Sequence, residues 1–235
     1  MNLTLAKDQL ELDFNFSIPL KEAGDISKVG VYCSGGLDST ALLCLIMSEL
    51  KATQKLGVIP LTVFTIVKGE GSTYYADRVV KKISEHFNFE INHVNNVEND
   101  PDAFSKGRLG VPAIIHTWAK NKNTSFFIGI NQMAPQDIRP FDKTLKITYR
   151  ENPTLYTAPF LNMHKPQILD LYYKLGCEDI IQYTHSCTVQ AIGTCNNCYS
   201  CAERAWGFSA LDKIDPGTVE PDVADISYNG TWKLV

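Results

Sequence analysis

The sequence predicts an α/β protein: a Rossmann-like, doubly wound parallel sheet carrying a cysteine-rich helical segment near its C-terminal end. Three observations predict it. Short apolar runs alternate with helical patterns through the middle of the chain, an order that gives β-α-β units and a sheet covered on both faces. At 31–43, "VYCSGGLDSTALL" ends an apolar run in a glycine pair and starts a helix. Four cysteines crowd into residues 187–201.

The elements follow in order. "LELDFNFSI" (10–18) alternates strictly, with Leu10, Leu12, Phe14, Phe16 and Ile18 on one face, the pattern of a half-buried strand. "VGVYC" (29–33) reads as a strand and residues 38–52 as a helix. "IPLTVFTIV" (59–67) is the next strand, and residues 73–87 form a helix with Tyr75, Val79, Val80, Ile83 and Phe87 on one stripe. "FEINHV" (89–94), "SFFIGI" (125–130) and "TLYTAP" (154–159) are further strand candidates. Residues 112–120 and 166–175 begin with proline and read as helices. "ISYNGTWKL" (226–234) places Asn229-Gly230 between alternating runs, a hairpin expected to pair with the 10–18 strand.

This gives an N-terminal extension with an edge strand (1–28), an α/β domain (29–184), a metal-binding helical segment (185–214) and a hairpin tail (215–235). A length of 235 residues suits one such core. "MNLTLAKDQLELDFNFS" has no apolar block of the secretory kind and no run reaches the length of a membrane span, so a cytoplasmic protein is expected. The net charge of -4 disfavours tight binding to a nucleic-acid backbone and favours a small-molecule substrate. The 10–18 strand and the hairpin would suit a homodimer or partner surface.

A parallel strand that stops at Ser34-Gly35-Gly36 and turns into a helix points unpaired N–H groups and the positive helix end at one spot, a nest for phosphate. Ser34 and Ser39 add hydroxyl donors, whereas Asp38 would repel phosphate unless it held a cation or capped the helix. The loop lacks the Gly-Lys-Ser/Thr of a P-loop and the G-x-G-x-x-G of dinucleotide folds.

Cys187, Cys195, Cys198 and Cys201 are spaced C-x7-C-x2-C-x2-C, so that thiolates converge on one tetrahedral ion with no open position. Structural zinc is expected, ahead of an iron–sulfur cluster, because no other feature implies redox chemistry. His185 is expected at the surface or behind the ligands. Cys33, Cys44 and Cys177 read as core thiols, although Cys33 stands next to the loop.

"SGGLDS", at 34–39, resembles the signature of the PP-loop, or N-type, ATP pyrophosphatases, of the adenine nucleotide alpha hydrolase fold. Together with the cysteine spacing it resembles the 7-cyano-7-deazaguanine synthase (QueC) family over roughly residues 29–212. "APFLNMHKPQIL" is similar to the family's lysine-bearing helix start, at Lys165. "CAERAWGF" matches at Arg204 and Phe208, "IGIN" with "QDIRPF" at Asn131, Asp137 and Arg139, and "KGRLGVP" at Arg108. The departures are "VKGEG" (Lys68, Glu70) after the second strand, a shortened substrate loop, and Leu109.

The resemblance implies a C–N bond-forming ligase of queuosine and 7-deazapurine biosynthesis. Such an enzyme adenylates the carboxylate of 7-carboxy-7-deazaguanine with ATP and uses free ammonia to make the nitrile. It implies pyrophosphate held by Ser34, Gly35, Gly36, Leu37 and Ser39, with Lys165 offsetting charge and Asp38 orienting Mg²⁺. Arg108, Asn131, Asp137 and Arg139 would meet the deazapurine acid. His116 and His164 are candidates for proton transfer. The alternatives are a PP-loop enzyme with another acceptor, including a tRNA thiolase or amide-forming ligase, and a non-catalytic zinc-stabilised nucleotide scaffold.

Overall fold

The computed structural model describes residues 1–7, 10–18, 28–66, 72–97, 124–135, 156–219, 226–228 and 232–234. The expected helix over 112–120, the Asn229-Gly230 turn, and Lys68, Glu70, Arg108, Leu109, His116, Asp137 and Arg139 lie outside the described residues.

The central sheet is parallel, four-stranded and ordered β5-β4-β3-β6. It comprises β3 (Lys28–Tyr32), β4 (Leu61–Ile66), β5 (Asn92–Val97) and β6 (Thr124–Phe127). Of the strand expected over 154–159, the described residues 156–159 do not form one. Thr157 makes an isolated parallel bridge to Phe127, and the chain turns at Pro159. The chain runs outward from β3 to β4 and β5, then returns to the other side of β3 with β6. That reversal leaves a crevice at the carboxyl ends of β3 and β6, where open α/β sheets bind ligands.

Val29 and Val31 of β3 are fully buried, as a parallel strand covered on both faces requires. Helix α1 (Leu37–Ala52) is buried almost all round, its LSTALLCLIM positions packed into the core, so it is a central helix. Helix α2 (Ser72–Phe87) buries the predicted stripe of Tyr75, Val79, Val80, Ile83 and Phe87. Helix α3 (Lys165–Leu175) has Pro166 at its start, where the missing N–H costs nothing. A 3₁₀ helix (Glu178–Tyr183) and α4 (Tyr199–Ala210) complete the described helices.

The N-terminal prediction needs correction. The strand within 10–18 is shorter, β2 (Leu12–Asn15), and its partner is not the C-terminal hairpin. It pairs antiparallel with β1 (Asn2–Leu5), the segment just before it in sequence. The alternation nevertheless decides burial: Phe14, Phe16 and Ile18 are buried, and Phe14 and Phe16 pack on Phe160 and Phe127. Asp170 and Gln167 of α3 bond the backbone of Ala6 and Leu10, which docks this hairpin on the helix. The C-terminal hairpin forms as expected, β7 (Ile226–Tyr228) with β8 (Trp232–Leu234), but as a separate two-stranded sheet beside α2.

Candidate active site

The backbone leaves β3 at Tyr32, passes through Cys33, Ser34, Gly35 and Gly36, and enters α1 at Leu37. Gly35 has φ +74°, and a Cβ there would stand 2.5 Å from the Ala76 nitrogen and 2.6 Å from the Tyr75 backbone. Helix α2 therefore lies directly against the loop, and only glycine fits. The Ser39 hydroxyl accepts from the Ser34 N–H at 3.0 Å and donates to the Gly36 carbonyl at 3.2 Å. It also lies 3.1 Å from the Ser34 hydroxyl, so the two serines share one network over the helix start.

The loop is held from behind as well. His185 N–H donates to the Gly35 carbonyl at 2.9 Å, and the Thr65 hydroxyl to the Cys33 carbonyl at 2.8 Å. Thr65 in turn meets His93 Nε2 at 2.8 Å, and His93 Nδ1 lies 3.1 Å from Asp77. Cys33 is fully buried, and burial pushes its thiol up, the setting of a core thiol. Cys44 and Cys177 are core thiols, as expected.

Lys165 enters from α3 with its side chain 5% exposed. Its ammonium pairs with Asp38 on α1 and lies 3.0 Å from Glu203 on α4. Burial alone would lower its pKa, but Asp38 and then Glu203 outweigh it and raise the lysine above its ordinary value. Burial raises the Asp38 carboxyl above the usual range; Lys165 pulls it down and Glu203 adds to the rise. Glu203 is the site residue that sequence reasoning passed over. It is buried, and its Oε1 accepts from Tyr199 OH at 3.0 Å and Asn131 Nδ2 at 3.2 Å. Its only sequence signal is its place in "CAERAWGF", two residues after the last cysteine of the cluster.

These groups line a cavity of about 180 Å³ at the crevice, with Ser34, Gly36, Asp38, Lys165 and Glu203 on its wall. Tyr75 and His185 also line it, stacked at 4.2 Å with ring planes 6° apart. His185 is thus not a surface residue. It is buried behind the cysteine loop, its Nε2 2.8 Å from the Gly193 carbonyl. His164 stands just before α3, its pKa lowered by burial. Arg204 faces away from Lys165 into a bidentate pair with Asp215, at 2.8 Å for each bond, and bonds Thr184 at 2.9 Å.

The four cysteine sulfurs all lie within 4.8 Å of one another, with Cys195 and Cys201 at 4.0 Å. Backbone N–H groups of Gln190 and Cys198 donate to Cys187 and Cys195 sulfurs at 3.3 and 3.2 Å, the environment of a thiolate. Burial opposes ionisation of Cys198, but the N–H groups of Thr188 and Cys201 bring its thiol down to about 6. Burial and the hydrogen bond it donates to the Cys198 sulfur push the Cys201 thiol up to about 12. Four sulfurs this close together could hold a metal ion.

The family described as "Queuosine biosynthesis protein QueC" matches residues 108–212, a span holding Asn131, Lys165, Glu203 and all four cysteines. Over that span the chain is similar to the QueC family. The matched span is somewhat under half of the 235 residues, and the glycine loop lies ahead of it. Among solved structures, the chain is similar to "U34-tRNA thiolase NcsA from Methanococcus maripaludis with its [4Fe-4S] cluster", with 19% identity and a TM-score of 0.39. That likeness covers 79% of this chain and 64% of the thiolase, and bears on neither substrate nor metal here. No curated protein matches the sequence. No helix among the described residues is long and apolar enough to cross a membrane.

Proposed function

We propose that this QueC-like protein adenylates the carboxylate of 7-carboxy-7-deazaguanine with ATP and uses ammonia to convert it to the nitrile. The observation that carries the reading is the convergence of Lys165 and Asp38 on the glycine loop, in one cavity with Ser34, whose hydroxyl lies 3.1 Å from that of Ser39. A buried lysine beside a nest of N–H groups and two hydroxyls suits a polyanion that must be held still while its α phosphorus is attacked.

In this reading the loop N–H groups and the Ser34 and Ser39 hydroxyls hold the β and γ phosphates together as the leaving pyrophosphate. Lys165 offsets its charge. The acceptor carboxylate oxygen attacks the α phosphorus, and the bond from that phosphorus to pyrophosphate breaks. Ammonia then adds to the acyl carbon, AMP leaves and a proton is lost, giving the amide. A second ATP adenylates the amide oxygen, and loss of AMP with the remaining N–H protons leaves the nitrile. Asn131 would face the acceptor, with Arg108, Asp137 and Arg139 joining it. Ammonia would arrive from solution.

Mg²⁺ needs only one or two protein carboxylates. Asp38 fits, since it lines the cavity and spends one oxygen on Lys165. The ion would supply charge neutralisation of the phosphates. The cysteine cluster suits zinc. Zn–S bonds of about 2.3 Å place tetrahedral sulfurs roughly 3.8 Å apart, close to the 4.0 Å between Cys195 and Cys201. A four-iron cluster binds each thiolate to a different iron and needs a wider frame. With four thiolates and no open position, the zinc would stabilise the fold.

The test is incubation with ATP, Mg²⁺, ammonium and 7-carboxy-7-deazaguanine, with products read by mass spectrometry. A nitrile, lost in Ser34→Ala, is the expected result. AMP and pyrophosphate without nitrile would refute the acceptor and keep the adenylation, and neither product would refute both.

A further inference from the structure

We infer that Glu203 is a positioning residue that fixes the Lys165 ammonium at the glycine loop and links it to Asn131. Lys165 opens α3, the positive end of a helix, where a cation is disfavoured, and its side chain is only 5% exposed. Its position needs compensating charge. Asp38 supplies that from the loop side, and Glu203 supplies it from α4 at 3.0 Å.

One stripe of α4 is built around this lysine. Tyr199, Glu203 and Gly207 follow each other at intervals of four, on one helix face. The Tyr199 hydroxyl donates to Glu203 Oε1 at 3.0 Å and receives the Ala134 N–H at 2.9 Å. Gly207 lies against the lysine stem, since a Cβ there would stand 2.8 Å from Lys165 Cγ. The stripe therefore holds both the head and the stem of Lys165. The Asn131 amide donates to the same carboxylate oxygen as Tyr199, at 3.2 Å. Glu203 thus joins the segment 131–134, Lys165 and the loop residue Asp38 through Lys165.

A carboxylate in this place has an electrostatic cost. With both acids ionised, Asp38, Lys165 and Glu203 carry a net negative charge, and an incoming pyrophosphate meets it. A buried ion pair is seldom the most stable filling for its space. Glu203 trades anion affinity for a fixed lysine, and that trade has a signature that a merely structural residue lacks.

The experiment compares wild type, Glu203→Gln and Glu203→Asp by calorimetric binding of Mg²⁺-pyrophosphate and by kcat and KM for ATP. The kinetic arm rests on the proposed function; the pyrophosphate arm needs only the loop to bind its anion. Glu203→Gln is expected to bind pyrophosphate about three- to tenfold more tightly, because a like charge is removed. Its KM for ATP falls with it, while kcat falls on the order of 10- to 100-fold because Lys165 is no longer held. Glu203→Asp recovers part of kcat. Tyr199→Phe, a milder change, keeps the charge and is expected to lower kcat with pyrophosphate affinity unaltered, which serves if Glu203→Gln does not fold. Unchanged pyrophosphate affinity in Glu203→Gln, or a KM that rises as kcat falls, overturns the inference. If wild type binds pyrophosphate but makes no nitrile, the acceptor reading fails, and the pyrophosphate arm still decides the role of Glu203. If wild type binds no pyrophosphate, both fall.

Discussion

Gly35→Ala and Gly36→Ala should separate stability from phosphate binding, although the two glycines are neighbours in one loop. At Gly35, φ is +74° and the added methyl would meet Ala76 N at 2.5 Å and the Tyr75 backbone at 2.6 Å. The left-handed backbone costs a non-glycine residue about 1–2 kcal/mol. The contact is with helix backbone that cannot swing aside, so α2 must shift, and overpacking of that kind costs roughly 1–3 kcal/mol more. A loss of about 2–5 kcal/mol lowers the melting temperature of a chain this long by roughly 5–15 °C. Gly36 has φ -80°, and its added methyl meets the Ser34 hydroxyl at 3.3 Å and the His185 carbonyl at 3.4 Å, contacts far looser than those at Gly35. Its replacement should cost under about 1 kcal/mol while filling the cradle and weakening pyrophosphate binding by about tenfold or more. Thermal unfolding by circular dichroism, with and without pyrophosphate, measures both quantities. Equal melting temperatures in the two variants, or a native value for Gly35→Ala, would refute the close approach of α2 to the loop.

Lys165→Met leaves Asp38 facing Glu203 without a cation and should cost about 3 kcal/mol at neutral pH, the low end for a broken buried pair because the Asp38 side chain is 24% exposed. In wild type the Lys165 pKa lies above its ordinary 10.5, so its ion pairs stabilise fully below that pH and are lost as the pH climbs beyond it. Asp38, raised by burial, works the same way in the carboxylate range: its contribution is present at low pH and lost as pH rises. Urea melts of Lys165→Met across pH should therefore show stability recovering toward acid and a shallower alkaline loss than wild type. If the cysteine cluster holds the proposed zinc, Cys201→Ser, or treatment with a strong chelator, removes it and lowers the unfolding midpoint, as measured by elemental analysis and calorimetry. Arg204→Lys loses the two-pronged pair with Asp215 and the bond to Thr184, and should cost about 2 kcal/mol, with kcat and KM of the folded enzyme unchanged.

The helical stripe of α2, the strand at 28–32, the glycine turn and the four cysteines were legible in the sequence because each is local. A 3.6-residue period, a glycine pair between strand and helix, and two-residue spacers between thiols act over one or two turns of chain. The strand within 10–18 was legible in its burial but not in its pairing. Alternation says which side chains face inward and nothing about which edge is offered, and β1 was nearer than the C-terminal hairpin. The 154–159 segment carried strand composition, yet the chain turns at Pro159 after a single bridge.

The sequence by itself determined the α/β class, the strand-to-helix glycine turn at Ser34-Gly35-Gly36 and the convergence of Cys187, Cys195, Cys198 and Cys201, since backbone sterics and short chelate loops fix these within a few residues. Only the tertiary structure decided that Asp38, Lys165 and Glu203, from three different helices, share one buried cluster, and that α2 closes on Gly35. A charge is cheap in water and costly in the core unless paired, so the meaning of each of these residues depends on neighbours far along the chain that only packing supplies.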